Sequence, residues 1–362
     1  MRHFSLTRWF IRFGMLMFWM LALIGAFFLI RVNWSATDRS ITVLAWSVMF
    51  DHDRIREFER RTGIRVYLNH YESNEELLVK LRATQGQGFD LVAPSDYAVE
   101  KLVAEGLLKK LDRTQMPYFK LLNPRLLGHY FDPNNEYSVP YIWSIYCIAY
   151  NKQKLAIDNV VNYWDLLFLR YQDAPWFRVV MTNDPLEAIV FASIKLFGLP
   201  LASQLDRDNE MEVQRLLGRQ KQWVEQYGNL RGDFALNTGS AHAVVMHSGE
   251  ALRAVRAYSR IGFVVPRPSV VTIEHCAIPV GSTKDELVYK FLDFMFAPET
   301  FIAHFPKTFD FPARADLSES LALLPDEKAV FEIWSRPDFA YSFIRDLLPE
   351  RARFDLWLSV KS

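Results

Sequence analysis

The strongest constraint on the fold is a regular alternation of strand-like and helix-like segments. Residues 41–46 (ITVLAW) are apolar and rich in β-branched residues, as in a buried strand. Residues 54–61 predict a helix, and residues 64–71 (IRVYLNHY) alternate with the period of two that is typical of a strand. The series continues with a helix over 74–84, a strand over 89–93 and a helix over 96–106. This order predicts an α/β fold with a largely parallel sheet covered on both faces.

A second α/β block follows a long aromatic segment, residues 137–151 (YSVPYIWSIYCIAYN). The segments predicted after it are a strand over 177–182, helices over 185–197 and 210–227, a strand over 241–247, a helix over 250–258, strands over 261–265 and 270–279, helices over 284–296 and 298–305, and a helical tail. Two such blocks joined by long strands predict two lobes with a cleft between them.

Aromatic, hydroxyl and acidic residues follow several of the predicted strands. In open α/β sheets, ligands bind outside the carboxyl ends of the strands. The sequence therefore predicts that these residues meet at one rim. They are Trp46 and Ser47 after the first strand, Ser95, Asp96 and Tyr97 after the third, Asp184 at the head of the second block, and His247.

The amino-terminal region indicates export. Residues 1–14 carry arginines and no acidic residue, residues 15–30 are wholly apolar, and Arg31 closes the run. We predict that residues 1–36 form a basic cytoplasmic segment and a transmembrane signal anchor, which places the remainder in the periplasm of a bacterial cell. The alternative is a cleaved signal peptide and a soluble periplasmic protein. No cysteine directly follows the run, so we expect no lipoprotein processing.

Composition narrows the classes of function. Lys+Arg and Asp+Glu both number 42, so no excess of positive charge favours nucleic acid as a partner. The chain lacks the G-x-S-x-G, phosphate-loop and H-E-x-x-H motifs, so we expect no enzymatic activity, no cofactor and no metal site. Cys147 and Cys276 are too few for a disulfide scaffold, and we expect both to be buried and unpaired.

Several long stretches resemble the periplasmic spermidine/putrescine-binding proteins of bacterial ABC transporters. They include TGIRVYLNHYESNEELLVKL, FDLVAPSDYAVEKL, EGLLKKLD, FDPNNEYSVPYIW and IAYNK, with weaker likeness through MTNDPLEA, VVMHSGEA and HCAIPVGSTKDE. The resemblance implies a two-lobed clamshell fold of type II topology without catalysis. It places lobe 1 at residues 39–145 and 275–316, and lobe 2 at residues 146–274 and 317–362.

The resemblance also assigns roles to individual residues. A polyamine needs carboxylates for its ammonium groups and aromatic faces for its chain. The matched positions are Trp46 as an aromatic wall, Ser47 as the hydroxyl beside it, Ser95 and Tyr97 as a Ser-x-Tyr pair, Asp184 and Glu187 as a carboxylate pair for one amine end, and Glu274 as a central acid. Asp96 is either a further ligand carboxylate or a helix cap, and Asp184 also suits a helix cap.

Several positions depart from the family pattern, among them Met49 and Phe309, which stand where the resemblance places tyrosines. His247 and Thr272 stand where the resemblance places tryptophans, so the amine that fits this cavity is open. A protonated His247 would oppose a cationic ligand, which suggests a pH-dependent affinity. Cys147 and Cys276 lie on two long strands expected side by side at the hinge, and a disulfide between them is the alternative to two free thiols.

The expected function is polyamine capture and delivery to an ABC transporter permease in the inner membrane. We expect a monomer that contacts the membrane through its amino-terminal helix. One alternative is a polyamine-responsive sensor that docks on a membrane receptor. Another is the same fold binding a different small cation.

Overall fold

A computed structural model describes residues 39–157, 160–169, 176–228 and 232–362, together with Met15, Met17, Trp19 and Met20. Those four residues are helical, and the rest of the predicted membrane span lies outside the described residues. In the described part of the chain, no helix has the length and apolar character needed to cross a bilayer.

The described strands form one continuous sheet with the order β2-β1-β3-β9-β4-β7-β5-β6. In addition, β8 and β10 pair with β4, and β11 pairs with β9. The strands are β1 Ser40–Ala45, β2 Arg65–His70, β3 Leu91–Val92, β4 Ser138–Asn151, β5 Val179–Met181, β6 Val224–Tyr227, β7 Ala243–His247, β8 Ile261–Val264, β9 Ser269–Ala277, β10 Phe311–Pro312 and β11 Tyr341–Phe343. Parallel pairs join β1 to β2 and β3, and β5 to β6 and β7, as the alternation predicted.

The long strand β4 connects the two halves of this sheet. Its residues from Ser138 to Ile145 pair antiparallel with β9, whereas Tyr146 to Tyr150 pair with β7. The change of partner therefore falls between Ile145 and Tyr146. All fourteen residues of β4 are buried, so the strand has protein on both faces throughout.

Two hydrophobic clusters cover opposite faces of the sheet. Along β4, Ile145 and Cys147 belong to one cluster, whereas Tyr146 and Ile148 belong to the other. Successive side chains of a strand point to opposite faces, so this alternation follows directly from strand geometry. Both faces of the sheet are thus apolar, as expected for a sheet between two layers of helices.

Helices lie between the strands along the chain. They are α1 His52–Thr62, α2 Asn74–Thr84, α3 Asp96–Ala104, α4 Asp165–Phe168, α5 Pro185–Phe197, α6 Arg207–Gln220, α7 Gly232–Thr238, α8 Ser248–Ala257, α9 Asp285–Met295, α10 Pro298–Thr308, α11 Pro325–Phe331 and α12 Glu350–Lys361. Helix α1 shows how local sequence sets such boundaries. Asp51 caps its start, and Gly63 ends it with a φ of 68°, a conformation that costs glycine little. The carboxyl-terminal helix α12 packs on α5 and α6.

Two predictions of secondary structure need correction. The predicted helix over 210–227 ends at Gln220, and its last part is strand β6, which pairs with β5. The cause is a tertiary contact. Val224 and Tyr227 are of residue types that favour strands, and strand β5 lies beside them and pairs with them. The predicted helical tail also contains β11, which runs parallel to β9.

The alternative of a disulfide at the hinge is wrong, because Cys147 and Cys276 are both free and buried. Cys276 lies opposite Val139 on β4, whereas Cys147 lies opposite Met246 on β7. Val139 and Cys147 are eight steps apart along extended β4, a distance of roughly 26 Å at the usual rise per residue. A disulfide requires Cα atoms within about 7 Å of each other.

Candidate functional site

A cavity of about 210 Å³ lies where several strands end and the following helices begin. We call it the acidic cavity. Trp46 directly follows β1, Asp184 caps α5 after β5, and His247 is the last residue of β7. Eight of the nine residues predicted from the sequence line this cavity: Trp46, Ser95, Asp96, Tyr97, Asp184, Glu187, His247 and Glu274. The volume is below the ~300–1,000 Å³ that is usual for sites of drug-sized ligands, so it suits a small molecule.

Ser47 is the predicted residue that the structure does not place in this lining. It begins the turn after Trp46 and its side chain is exposed. The chain leaves the sheet after β1, so Ser47 lies in a turn and does not face the cavity as Trp46 does. The likeness to a family pattern located the segment correctly but could not give the direction of this side chain.

Glu274 is held at the centre of the cavity by three donors. The Nε1–H of Trp46 donates to Oε2 over 2.8 Å, and the Ser95 hydroxyl lies 2.8 Å from the same oxygen. Thr272 Oγ1 lies 3.3 Å from Oε1. The backbones of Ser95 and Glu274 also form an isolated β-bridge, which fixes the two side chains together. Burial raises the pKa of Glu274 to about 7, although these donors favour the charged form.

Asp184 combines a structural contact with an unused oxygen. Its Oδ1 accepts from the backbone N–H of Leu186 over 2.7 Å, which caps α5. Among the described residues, no donor contacts its Oδ2. Asp184 can therefore serve in both of the roles predicted from the sequence, as a helix cap and as a ligand carboxylate. One oxygen caps the helix, and the other contacts no donor among the described residues. Burial raises the pKa of this carboxyl.

Glu187 lies one helical turn further, beside Asp184. The Tyr146 hydroxyl donates to Oε1 over 2.7 Å, and the Thr182 hydroxyl donates to Oε2 over 2.6 Å. Burial raises the pKa of Glu187, and the neighbouring charge of Asp184 raises it further. Two carboxyls are thus held close together in a partly buried position, which favours a cation between or beside them.

Asp96 is the most buried acid of the cavity, with 1% of its surface exposed. It is not the helix cap: Ser95 occupies the cap position of α3, and Asp96 is the first helical residue. Its Oδ1 accepts from the Tyr97 backbone N–H over 2.7 Å, whereas the buried Oδ2 has no partner among the described residues. Burial raises the pKa of Asp96 well above its usual range.

His247 packs on Tyr146, with the two ring centroids 4.3 Å apart, and its Nδ1 lies 3.0 Å from the Ser144 hydroxyl. Burial lowers the pKa of His247 to about 4. The ring is therefore neutral between pH 5.5 and 8. The lowered pKa argues against the hypothesis that His247 itself makes binding depend on pH in this range, because a buried imidazole of this kind stays unprotonated there.

The cavity is strongly acidic. Its lining contains six carboxyl groups, those of Glu72, Glu75, Asp96, Asp184, Glu187 and Glu274. Among the residues that the structure describes, no lysine or arginine lines it. Burial raises the pKa of Glu75, and the charge of Asp184 contributes to the same shift. The described residues contain no group of three or more His, Cys, Asp or Glu side chains placed to hold a metal ion.

Sequence reasoning missed part of the lining. The missed residues include Glu72, Asn74 and Glu75, and their position just after strand β2 is the sequence signal that points to them. The amide of Asn74 donates to the Ser95 hydroxyl over 3.2 Å, which supports the Glu274 cluster. Tyr146 lies inside β4, where every residue is buried, so no pattern in the sequence distinguishes it.

Comparison with known proteins agrees with this architecture. The model of the family described as bacterial extracellular solute-binding protein matches residues 53–331, most of the chain. The chain belongs to this family. Members of this family are solute-binding proteins of transport systems.

Individual relatives of this solute-binding protein are moderately similar. The spermidine/putrescine-binding periplasmic protein of Escherichia coli strain K12 is 28% identical over 258 residues, which cover 70% of this chain and 72% of that protein. The putrescine/agmatine-binding protein of Pseudomonas aeruginosa is 28% identical over 346 residues, covering 90% and 93%. A putative spermidine/putrescine ABC transporter structure from Listeria monocytogenes has a TM-score of 0.75 and 25% identity, covering 89% of this chain and 99% of that one. The predicted two-lobed α/β fold is confirmed.

Proposed function

We propose that this solute-binding protein captures a polyamine in the acidic cavity and delivers it to the permease of an ABC transporter. The observation that carries the proposal is the lining of the cavity, with its six carboxyl groups and no described lysine or arginine. Desolvated carboxylates are unfavourable unless they are paired with a cation. A ligand with several ammonium groups supplies that partner, and the names of the relatives from E. coli and P. aeruginosa indicate the same class of ligand.

The proposed contacts follow from the carboxyl groups that line the cavity. Asp184 and Glu187 bind one ammonium group, with Asp184 Oδ2 directed to the ligand while Oδ1 caps the helix. Glu274, oriented by Trp46 and Ser95, binds a second cationic nitrogen. Charge-assisted hydrogen bonds of this kind are about twice as strong as neutral ones.

Aromatic side chains complete the proposed site. Trp46 is supported from behind by Tyr71, with ring centroids 4.5 Å apart, and Tyr97 lies on the same lobe. An alkyl chain and its ammonium groups pack well on such faces, each cation–π contact contributing ~0.5–2 kcal/mol. His247 packs on Tyr146, and these two rings line the part of the cavity that belongs to lobe 2. The unused oxygen of Asp96 is a further acceptor.

Ligand-driven closure is the mechanism that we propose. Lobe 1 comprises residues 39–145 and 275–316, and lobe 2 comprises residues 146–274 and 317–362, in type II topology. The change of partner along β4 at Ile145 and Tyr146 supports the first boundary. A ligand held by the carboxyls of lobe 2 and by Trp46, Asp96 and Tyr97 of lobe 1 favours the closed form by its difference in affinity for the two forms. The protein acts as a monomer outside the cytoplasm, anchored by its amino-terminal segment.

A thermal-shift panel tests the proposal. The full-length protein is melted with putrescine, cadaverine, agmatine, spermidine and spermine, with amino acids and sugars as controls. A ligand at 100 times its dissociation constant stabilises the folded state by ~2.7 kcal/mol, which a melting curve resolves. We expect a shift with at least one amine and none with the controls. A cooperative melt that no amine shifts would contradict the proposed function.

A further inference from the structure

Two groups of helices face each other across a groove of about 300 Å³. Helices α2 and α3 pack on each other, and the carboxyl-terminal helix α12 packs on α5 and α6. In the proposed division of the chain, the first group belongs to lobe 1 and the second to lobe 2. One side of the groove is lined by α2, α3 and the residue after α3, and the other side by Gln204, the segment before α12 and the first turn of α12.

Charged side chains span this groove and join the two groups of helices. Asp346, which precedes α12, has a cationic partner on each side. Its Oδ2 lies 2.7 Å from the ammonium nitrogen of Lys101 on α3, and its Oδ1 forms an ion pair with Arg353 on α12. The guanidinium group of Arg353 also contacts the Tyr97 side chain and lies 3.9 Å from Oε1 of Glu75 on α2. We call Lys101, Asp346 and Arg353 the interlobe bridge.

The interlobe bridge is largely shielded from water. The exposed fraction of the side chain is 3% for Arg353, 20% for Asp346 and 33% for Lys101. Charges that are partly removed from bulk water attract each other more strongly and are screened less by salt. Removing one partner of such a pair also leaves the other charge poorly solvated. These ion pairs therefore contribute more to holding the two groups together than exposed pairs would.

The interlobe bridge acts on the wall of the acidic cavity and not on its contents. Its three residues lie outside the lining of that cavity, whereas Glu75 and Tyr97, which Arg353 contacts, belong to the lining. If lobe 2 moves away from lobe 1, Lys101 separates from Asp346, and Arg353 separates from Glu75 and Tyr97. The contacts across the groove thus depend on the closed arrangement of the lobes.

We propose that Lys101, Asp346 and Arg353 are positioning residues, which form an ion-pair bridge that favours the closed form and thereby raises the affinity of the acidic cavity for its ligand. This inference rests on the proposed function and on its ligand-driven closure. Contacts made only in the closed form increase the fraction of the protein that is competent to hold the ligand. Their loss weakens binding through faster dissociation, although no contact with the ligand has changed.

The variant Lys101→Met tests the interlobe bridge with little risk to the fold, because this side chain is partly exposed. The probe is putrescine, or spermidine if it binds more tightly. Calorimetry gives the dissociation constant, and stopped-flow tryptophan fluorescence gives the dissociation rate. We expect both to rise at least threefold. The sign is informative, because loss of a nearby positive charge would by itself strengthen the binding of a cation.

Lys109→Met is the matched control. Lys109 is 28% exposed and lies 2.9 Å from Asp285, so it resembles Lys101 in burial and pairing, but both of its residues belong to lobe 1. There we expect less than a 1.5-fold change in the dissociation constant. Asp346→Asn is the second test variant, since it removes the central charge with little change of shape. We expect it to weaken binding at least as much as Lys101→Met.

The separation of α2 and α12 gives a readout that a loss of stability alone does not change. Spin labels are attached at Ala83→Cys and Leu358→Cys, two exposed positions on these helices. The native Cys147 and Cys276 are fully buried and do not react in the folded protein. In the ligand-free protein, Lys101→Met should shift the distribution of distances between the labels to longer values, and a saturating amine should restore the shorter ones.

The outcomes separate the two proposals. An unchanged dissociation constant, or an unchanged distance distribution, in folded Lys101→Met would overturn the inference and leave the proposed function intact. Failure of both amines and of the rest of the thermal-shift panel to bind the unaltered protein contradicts the proposed function itself.

Discussion

A buried carboxyl in this cavity lowers the stability of the ligand-free protein when it is charged, and the same charge binds a cationic ligand. Replacing Glu274 by Gln removes the charge and so tests both effects. Glutamine keeps the size of the side chain and can still accept from Trp46, but it carries no charge. In the folded protein, burial raises the pKa of Glu274 from 4.5 to about 7. The charged form is therefore disfavoured in the ligand-free protein, and the same charge is what a cationic ligand needs.

The sign of the stability effect follows from this pKa. Between pH 4.5 and 7 the folded state holds a proton that the unfolded state has released. The contribution of this group to stability is fully present below pH 4.5 and is lost as the pH rises through 7. One such proton changes the free energy of unfolding by about 1.4 kcal/mol per pH unit. Raising the pH from 5 to 8 should thus remove roughly 3 kcal/mol through Glu274, and the variant lacks this loss.

Urea denaturation of the ligand-free protein at pH 5 and pH 8 measures this difference. The unaltered protein should lose stability between pH 5 and pH 8, and Glu274→Gln should lose less over the same range. The variant should also bind amines at least tenfold more weakly, by ~1.4 kcal/mol. Glu286→Gln is the matched control, because Glu286 is an exposed acid paired with Lys290. The same pH dependence of unfolding in Glu274→Gln and in the unaltered protein would refute the reasoning.

Other changes give equally direct results. Asp184→Asn combined with Glu187→Gln should weaken amine binding at least tenfold, ~1.4 kcal/mol, in calorimetric titrations, and unchanged affinity would remove both residues from the site. Trp46→Phe keeps an aromatic ring but removes the donor to the central acid, so amine affinity should fall more steeply below pH 8 than in the unaltered protein; parallel pH profiles would count against that role. Alkylation in denaturant followed by mass spectrometry should count two free thiols, Cys147 and Cys276, and a linked species would contradict the fold.

Much of the fold was predictable from the sequence because its periodic signals are local. Helix α5 begins and ends as predicted, since Asp184 and Pro185 mark its start and Gly198 its end. Strand β6 was not predictable in the same way. Its four residues continue a helical pattern, and only pairing with β5 makes them a strand.

The site was predictable where residues directly follow strands, as Trp46 and His247 do. The charge pattern around the cavity was not, because it depends on contacts between distant segments. Glu75 and Arg353 lie 3.9 Å apart in the structure but are 278 positions apart in the sequence. The raised pKa of Glu274 likewise arises from burial, which no property of the residues next to it indicates.

Proton release on ligand binding tests the central claim most directly, since the claim is that a cation pairs with buried carboxyls of raised pKa. Putrescine is titrated into the full-length protein at pH 7 in two buffers that differ in ionisation enthalpy, and the titration is repeated at pH 9. The account predicts saturable binding with net proton release at pH 7 and little release at pH 9. Binding without proton release at pH 7, or with proton uptake, would contradict it.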